Sequence, residues 1–158
     1  MTAPVLMDSF RRTMAQLPTS VAVIAADTPD GPVGCTANAV LSLSLSPSSM
    51  VVSLRTGGRT LERVLAAGAF SVNGLSWEQR ELSARFATGN PLERFDGVAH
   101  EIHRGTPVLP DSVASVVCRV VRAIPVHDHT LLVGDVLWSR STEDTALVLH
   151  RGRQHETG

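Results

Sequence analysis

The chain has 158 residues, 43% of them hydrophobic and 18% charged, which is the size and balance of one folded soluble domain rather than a disordered or fibrous chain. Fourteen basic residues face fifteen acidic ones for a net charge of −1, without a basic block, which excludes the electrostatic footprint of a nucleic-acid binder. All fourteen are arginine, so Schiff-base, P-loop and pyridoxal-phosphate chemistries that need a lysine are excluded as well.

In chain order, Asp8 or Ser9 caps a short helix with Phe10, Met14 and Leu17 on one face, and Pro18 stops it. Ser20 to Ala26 reads as a buried strand. The turn Thr28-Pro29-Asp30-Gly31 returns the chain into a second strand, Val33 to Ala37, because proline presets φ and glycine takes a positive one. From Val40 to Ser46, Leu41, Leu43 and Leu45 alternate with serines at the period of a strand, which Pro47 ends. Met50 to Leu54 is a further strand. The glycine-rich run Arg55 to Thr60 then opens a helix over about Leu61 to Ala67, with Gly68 as its stop. Phe70 to Asn73 is a strand, and Ser76 with Gln79 forms a capping box for a helix through about Phe86. Residues 87–97 are a loop. Ala114 to Ala123 and Thr130 to Ser139 are long strands, and Thr145 to Leu149 a short one. About seven strands and three short helices that do not alternate regularly favour a small antiparallel barrel with peripheral helices over a doubly wound sheet.

No repeat or linker divides the chain, so one domain spans 1–158, with a core over about 8–150 and short flexible termini expected at either end. Cys35 and Cys118 belong to no CxxC pair or ligand run and read as free buried thiols of a reducing compartment. No stretch is apolar enough to span a membrane, and Met1 to Asp8 has neither the basic nor the apolar region of a signal peptide, which makes the cytoplasm the default location.

Four segments can carry chemistry. In Gly34-Cys35-Thr36-Ala37-Asn38-Ala39, small residues let the backbone approach something flat, and Thr36 and Asn38 supply donors and acceptors; an ordinary strand end explains the same residues. Ser53-Leu54-Arg55 followed by Gly57-Gly58-Arg59-Thr60 presents a helix N-terminus, two arginines and a hydroxyl to an anion; a capped helix with solvated arginines is the alternative. Arg85-Phe86 and Arg94-Phe95 repeat one dipeptide across the 87–97 loop, and either phenylalanine can be simple core. In His127-Asp128-His129, a strand would project both histidines from one face. A cupin-type metal site would need a glutamate where Val133 stands, which leaves a histidine serving a cofactor or substrate, or a solvated strand end. Neither GxGxxG nor G-x-S-x-G occurs, which argues against a Rossmann fold and a serine hydrolase.

Taken in order, these pieces resemble the flavin reductase family, the short-chain FMN-binding split barrels that feed reduced flavin to two-component monooxygenases. Gly34-Cys35-Thr36-Ala37-Asn38 resembles its G-x-T-A-N segment, and Ser42 to Pro47 its S-x-S-x-x-P strand. Phe70-Ser71-Val72-Asn73, Arg85-Phe86-Ala87, Arg94-Phe95-Asp96-Gly97, Gly105 to Leu109 and Asp128-His129-Thr130 with Gly134-Asp135-Val136 follow in family order. The resemblance implies a mainly β, Greek-key antiparallel split barrel with short helices. It implies a homodimer that binds FMN or FAD and takes hydride from NADH or NADPH. By the same resemblance Thr36, Ala37, Asn38 and Ala39 lie along the isoalloxazine ring, Ser53, Leu54 and Arg55 approach its edge and the ribityl chain, and Arg59 and Thr60 hold the phosphate. Phe86 and Arg94 border the flavin or the nicotinamide, His129 sits by the nicotinamide, and no metal is involved.

The implied activity is NAD(P)H-dependent flavin reduction, with reduced flavin passing by diffusion to a partner monooxygenase. The alternative is a split-barrel protein holding flavin tightly as an oxidase, a monooxygenase or a pathway auxiliary. The sequence departs from the family at His127, where glycine is usual, at Ala39, where serine is usual, at Thr56-Gly57-Gly58 in the phosphate loop, and at Leu149 to His155, where tyrosines are common.

Overall fold

The computed structural model describes residues 3–158; Met1 and Thr2 lie outside the described residues. The elements run α1 Ala3–Met14, β1 Thr19–Ser20, β2 Ala22–Ala26, β3 Val33–Ala37, β4 Val40–Leu45, β5 Ser48–Arg55, α2 Arg59–Ala67 and β6 Ala69–Gly74. A 3₁₀ turn, Trp77–Gln79, leads into α3 Arg80–Arg85, and β7 Glu101–His103, β8 Thr106–Val108, β9 Ala114–Val126, β10 His129–Ser141, β11 Leu147–His150 and β12 Arg153–Glu156 follow.

Seven strands form one sheet in the order β3-β2-β6-β9-β10-β5-β4, and every pairing in it is antiparallel. Its two edge strands, β3 and β4, are consecutive in the chain, with only Asn38 and Ala39 between them. Three peptide units reach about 10 Å at most. The sheet must therefore curl until its edges nearly meet, and the Ser53 N–H donates to the Ala39 carbonyl at 2.9 Å across the junction. The result is the expected antiparallel split barrel.

β2 shows why its sequence lacks alternation. Ala22, Ile24 and Ala26 face the barrel interior with Val52, Leu54, Phe70, Cys118 and Leu132, where Leu61 and Val64 of α2 plug the end. Val21, Val23 and Ala25 face a second core with Leu75, Phe86, Phe95, Leu109 and Leu147. A strand covered on both faces is apolar at every position. Gly134, beside a bulge in the β9–β10 ladder, is fixed by contact: a Cβ there would stand 2.6 Å from Cys118 Cβ and 2.8 Å from the Phe70 ring.

Several expectations change. α1 starts at Ala3 rather than at Asp8 or Ser9 and ends before Leu17, and none of its residues is buried; Phe10 is 61% exposed. Its apolar stripe faces away from its own chain. Leu41, Leu43 and Leu45 are also exposed, because β4 lies at the sheet edge and a bulge between Ser42 and Ser44 breaks its register. The expected strand from Ser20 divides in two: β1 pairs with β11 in a separate sheet, and β2 enters the barrel. The hairpin β7–β8 gave no periodic signal. The chain beyond 150, expected as a loose terminus, forms β12 and pairs with β11.

Candidate functional site

A cleft of about 430 Å³ opens where the two barrel edges, α2 and the end of α3 converge. From β3 it takes Cys35 and Thr36, and from β5 Leu54 and Arg55. The first turn of α2 supplies Gly58, Arg59, Thr60 and Leu61, and the segment after α3 supplies Phe86, Ala87, Pro91 and Arg94. The structure thus brings together Thr36, Leu54, Arg55, Arg59, Thr60, Phe86 and Arg94 of the expected set. Ala37, Asn38, Ala39 and Ser53 run along the seam outside this cleft; the Ala37 side chain belongs to the barrel core, and Asn38 and Ala39 are exposed.

The Arg55-Thr56-Gly57-Gly58 turn closes with the Gly58 N–H donating to the Arg55 carbonyl at 3.2 Å, and Gly57 takes a φ of +80° that disfavours any side chain. α2 begins immediately afterwards, so the amides of Arg59, Thr60 and Leu61 have no intrahelical acceptor and their positive dipole end faces the cleft. Arg55 and Arg59 form no salt bridge among the described residues. This end of the cleft presents backbone amides and two guanidiniums held in no salt bridge, the donors and charge that an anion needs, with the Asp128 carboxylate near enough to feel Arg55. Thr60 is 5% exposed and its hydroxyl touches the Cys35 thiol, which leaves its N–H as the group open to a ligand.

Thr36 is fixed from two sides. Its N–H donates to the Phe86 carbonyl at 3.0 Å and its Oγ1 donates to the Ser83 carbonyl at 2.6 Å, which covers the outer edge of β3 with α3. Gly34 makes that approach possible, since a Cβ there would stand 3.1 Å from the Phe86 ring. Phe86 is fully buried and packs edge-on against Phe95 with centroids 4.9 Å apart, so it is at once core and cleft wall. Burial pushes the Cys35 thiol up, opposed by the Thr60 hydroxyl and the charge of Arg94. Burial, helped by the Asp135 charge, pushes Cys118 up to about 12. Both cysteines are free, and neither is a ready thiolate nucleophile at neutral pH.

Arg94, expected beside the ligand, is engaged with the backbone. Its Nε donates to the Thr88 carbonyl at 2.9 Å, Nη1 to Gly34 at 2.9 Å and Nη2 to Gly89 at 3.4 Å. It lines the cleft as a clamp. Ala87 and Pro91 reach the wall with it and lay outside the expected site set; no local pattern locates Pro91, because the loop's path is set by arginine bonds to main-chain carbonyls.

His127 and His129 do not share a strand face. His129 pairs with Val126, which leaves His127-Asp128 as a two-residue hairpin turn, and His127 sits at φ 54°. That left-handed position explains why glycine is favoured there. His129 opens β10 opposite Arg55, and its Nδ1 lies 2.9 Å from Asp128 Oδ1. With Nδ1–H donating, the neutral ring keeps Nε2 as an acceptor. The hydrogen bond from His129 is the main cause that holds the Asp128 carboxyl below its ordinary range. Thr56 ties the hairpin to the glycine turn: its N–H donates to the Asp128 carbonyl at 3.0 Å, and its hydroxyl meets that of Thr130 at 2.8 Å. His129 therefore stands at the Arg55 side of the cleft without lining it. Among the described residues no three His, Cys, Asp or Glu side chains converge as a metal-ligand group.

A family model described as a flavin reductase like domain matches residues 14–158. The chain is 39% identical over 151 residues to an NADH-dependent FMN reductase of Streptomyces nodosus subsp. asukaensis, covering 90% of this chain and 80% of that one. Among solved structures, the styrene monooxygenase flavin reductase of Pseudomonas putida S12 is 32% identical with a TM-score of 0.84, over 94% of this chain and 97% of that chain. The NADH:FAD oxidoreductase of Streptomyces globisporus C-1027, solved with NAD and FAD fragments, is 25% identical with a TM-score of 0.91, over 100% and 96%.

The hairpin geometry predicts that His127→Gly, by relieving a left-handed residue with a Cβ, stabilises the protein by about 0.5–1 kcal/mol after the entropy cost of glycine. The urea unfolding midpoint should rise at an unchanged slope; a midpoint at or below that of the native chain would contradict this reading of the turn.

Proposed function

We propose that this chain, which belongs to the flavin reductase-like domain family, transfers hydride from NADH to a flavin and supplies the reduced flavin to an oxygen-using partner enzyme. The observation that carries the reading is the anion seat at the start of α2, opening onto a cleft of about 430 Å³ walled by Phe86, Leu54 and the backbone of β3. The residues fit a flavin phosphate. Three free amides, a helix dipole and the unpaired Arg55 and Arg59 supply donors and charge without lysine.

Bound flavin and nicotinamide supply the redox chemistry themselves. The chain's own residues bind, orient and exclude water. Arg59 and the amides of Arg59, Thr60 and Leu61 hold the phosphate, and Arg55 stands between that seat and His129. Thr36, whose hydroxyl proton is committed to the Ser83 carbonyl, offers its oxygen to the bound ring only as an acceptor. Asn38 and Ala39 border the ring where the seam leaves them exposed, and the buried Phe86 gives that wall a fixed position. His129, oriented by Asp128, serves the nicotinamide side. This division of labour explains why the sequence shows no acid–base pair. The names of similar proteins support NADH as the donor and a monooxygenase as the recipient.

The test is flavin-dependent NADH oxidation, followed at the nicotinamide absorbance band. Turnover should scale with added FMN. Arg59→Ala should raise the flavin KM about tenfold, as the loss of a charge-assisted hydrogen bond implies. His129→Ala should lower kcat about fivefold or more with flavin affinity within about twofold, the pattern of a group acting beyond ground-state flavin binding. A protein that holds flavin without turning over NADH would favour the tightly bound alternative. Native turnover in His129→Ala would remove its assigned role.

We also infer a homodimer. Val5, Leu6, Phe10 and Met14 on α1 and Leu41, Leu43 and Leu45 on β4 are exposed apolar side chains, more than isolated surface hydrophobics explain, and a second copy would cover them. No helix among the described residues is long and apolar enough to cross a membrane, and a cytoplasmic location accords with the free thiols. Light scattering should give twice the chain mass for the native protein and one chain mass for the double variant Phe10→Glu, Leu45→Glu. A native monomer would contradict the dimer.

A further inference from the structure

We propose that Arg85 is a positioning residue for the cleft: acting through Arg94, it holds the 87–97 loop in place and so sets flavin affinity without touching flavin. The inference rests on the reading of the cleft as a flavin site.

The loop delivers Ala87, Pro91 and Arg94 to the cleft wall, yet it contains neither α-helix nor strand and most of its residues are exposed. Within itself it makes only short turns: the Glu93 N–H donates to the Asn90 carbonyl and the Asp96 N–H to the Glu93 carbonyl, each at 3.0 Å. Phe95, buried against Phe86, anchors one end. Thr88 Oγ1 donates to the Ala84 carbonyl at 2.9 Å at the other end, and two guanidiniums span the stretch between.

Arg94 joins the Thr88 carbonyl, at 2.9 Å, to the Gly34 carbonyl of β3, also at 2.9 Å, which fastens the loop to the strand that carries Thr36. Arg85, the last residue of α3, donates from Nε to the Arg94 carbonyl at 2.7 Å and from Nη2 to the Asp96 carbonyl. It therefore sets the backbone from which Arg94 reaches across. Arg85 is absent from the cleft lining, so any effect on the ligand passes through the loop.

The acceptors of both arginines are main-chain carbonyls, and neither arginine has a carboxylate partner among the described residues. Carbonyls at fixed angles suit the planar fork of a guanidinium. A lysine ammonium presents its donors from one point on a flexible stem and lacks the span and fixed plane of that fork. Neutral acceptors also leave the positive charge of Arg94 uncompensated at the cleft, where it acts on the neighbouring Cys35 thiol. Arg85 is not itself a member of the second core, which is built from Phe86, Phe95, Leu109 and Leu147 among others.

The experiment compares the native chain with Arg85→Lys and Arg85→Gln, using FMN as the probe. It reads FMN affinity by fluorescence quenching, the steady-state KM and kcat, and hydrogen exchange of the 88–97 amides. Both variants should weaken FMN binding and raise its KM by about fivefold, with kcat within about twofold. Exchange should quicken in the loop and stay unchanged in β2 and β6. Lysine should not rescue, although it keeps the charge. Native FMN affinity in either variant, unchanged loop exchange, or a kcat that falls as far as KM rises would overturn the role. A native chain that binds no FMN would overturn the flavin reading itself and this role with it, even if loop exchange still responded to Arg85.

Discussion

The constraint on which the rest depends is a connection of two residues. Asn38 and Ala39 join the opposite edges of a seven-stranded sheet, and a chain that short leaves the sheet no open form. Closure brings β3 beside β5, and β5 runs directly into the glycine turn and the N-terminus of α2. The cleft is the gap left where closure is incomplete. Its helix N-terminus and its β3 wall come from distant stretches of sequence, and the seam brings them together with the histidine hairpin beside them. The ladder between β5 and β10 adds the last element by setting His129 opposite Arg55.

A chain whose cations are all arginine uses them in two ways. Arg55 and Arg59 stand beside a helix N-terminus and form no salt bridge among the described residues. Arg85 and Arg94 face main-chain carbonyls and shape the loop beside the cleft. The same side chain is suited to both roles because its fork can span two acceptors and its charge persists at any working pH. The likeness of Arg85-Phe86 to Arg94-Phe95 has a structural basis, since each phenylalanine enters the second core while each arginine ties down the backbone around it.

Much of the fold was readable in the sequence where local chemistry decides the outcome. The Thr28 to Gly31 turn, the stop at Gly68 and the long β9 and β10 strands follow from turn residues and periodicity. The failures have physical causes. The leucines of β4 keep the period of a half-buried strand and the apolar stripe of α1 that of a half-buried helix, but periodicity reports that a face is apolar and does not say what covers it. β7, β8 and β12 are too short or too polar to carry a period. Of the expected site residues, Thr36, Leu54, Arg55, Arg59, Thr60 and Phe86 stand together in the cleft lining, because motif order marks residues around a backbone shape. Arg94 stands where the sequence puts it but acts as a clamp, and Arg85 and Pro91 were missed as site residues, since carbonyl acceptors leave no trace in a sequence. The sequence places His127 on a strand face with His129, whereas the register and a φ of 54° put it in the hairpin turn, a difference that depends on pairing across the sheet.

The central claim is that the start of α2 seats the phosphate of a flavin undergoing reduction. Titrating NADH oxidation with FMN and with riboflavin, which lacks the phosphate, tests it most directly. Turnover should occur with both, and the KM for riboflavin should be higher by about tenfold or more, the value of a charge-assisted phosphate contact. Equal KM values for the two flavins, or no flavin-dependent oxidation of NADH, would contradict it.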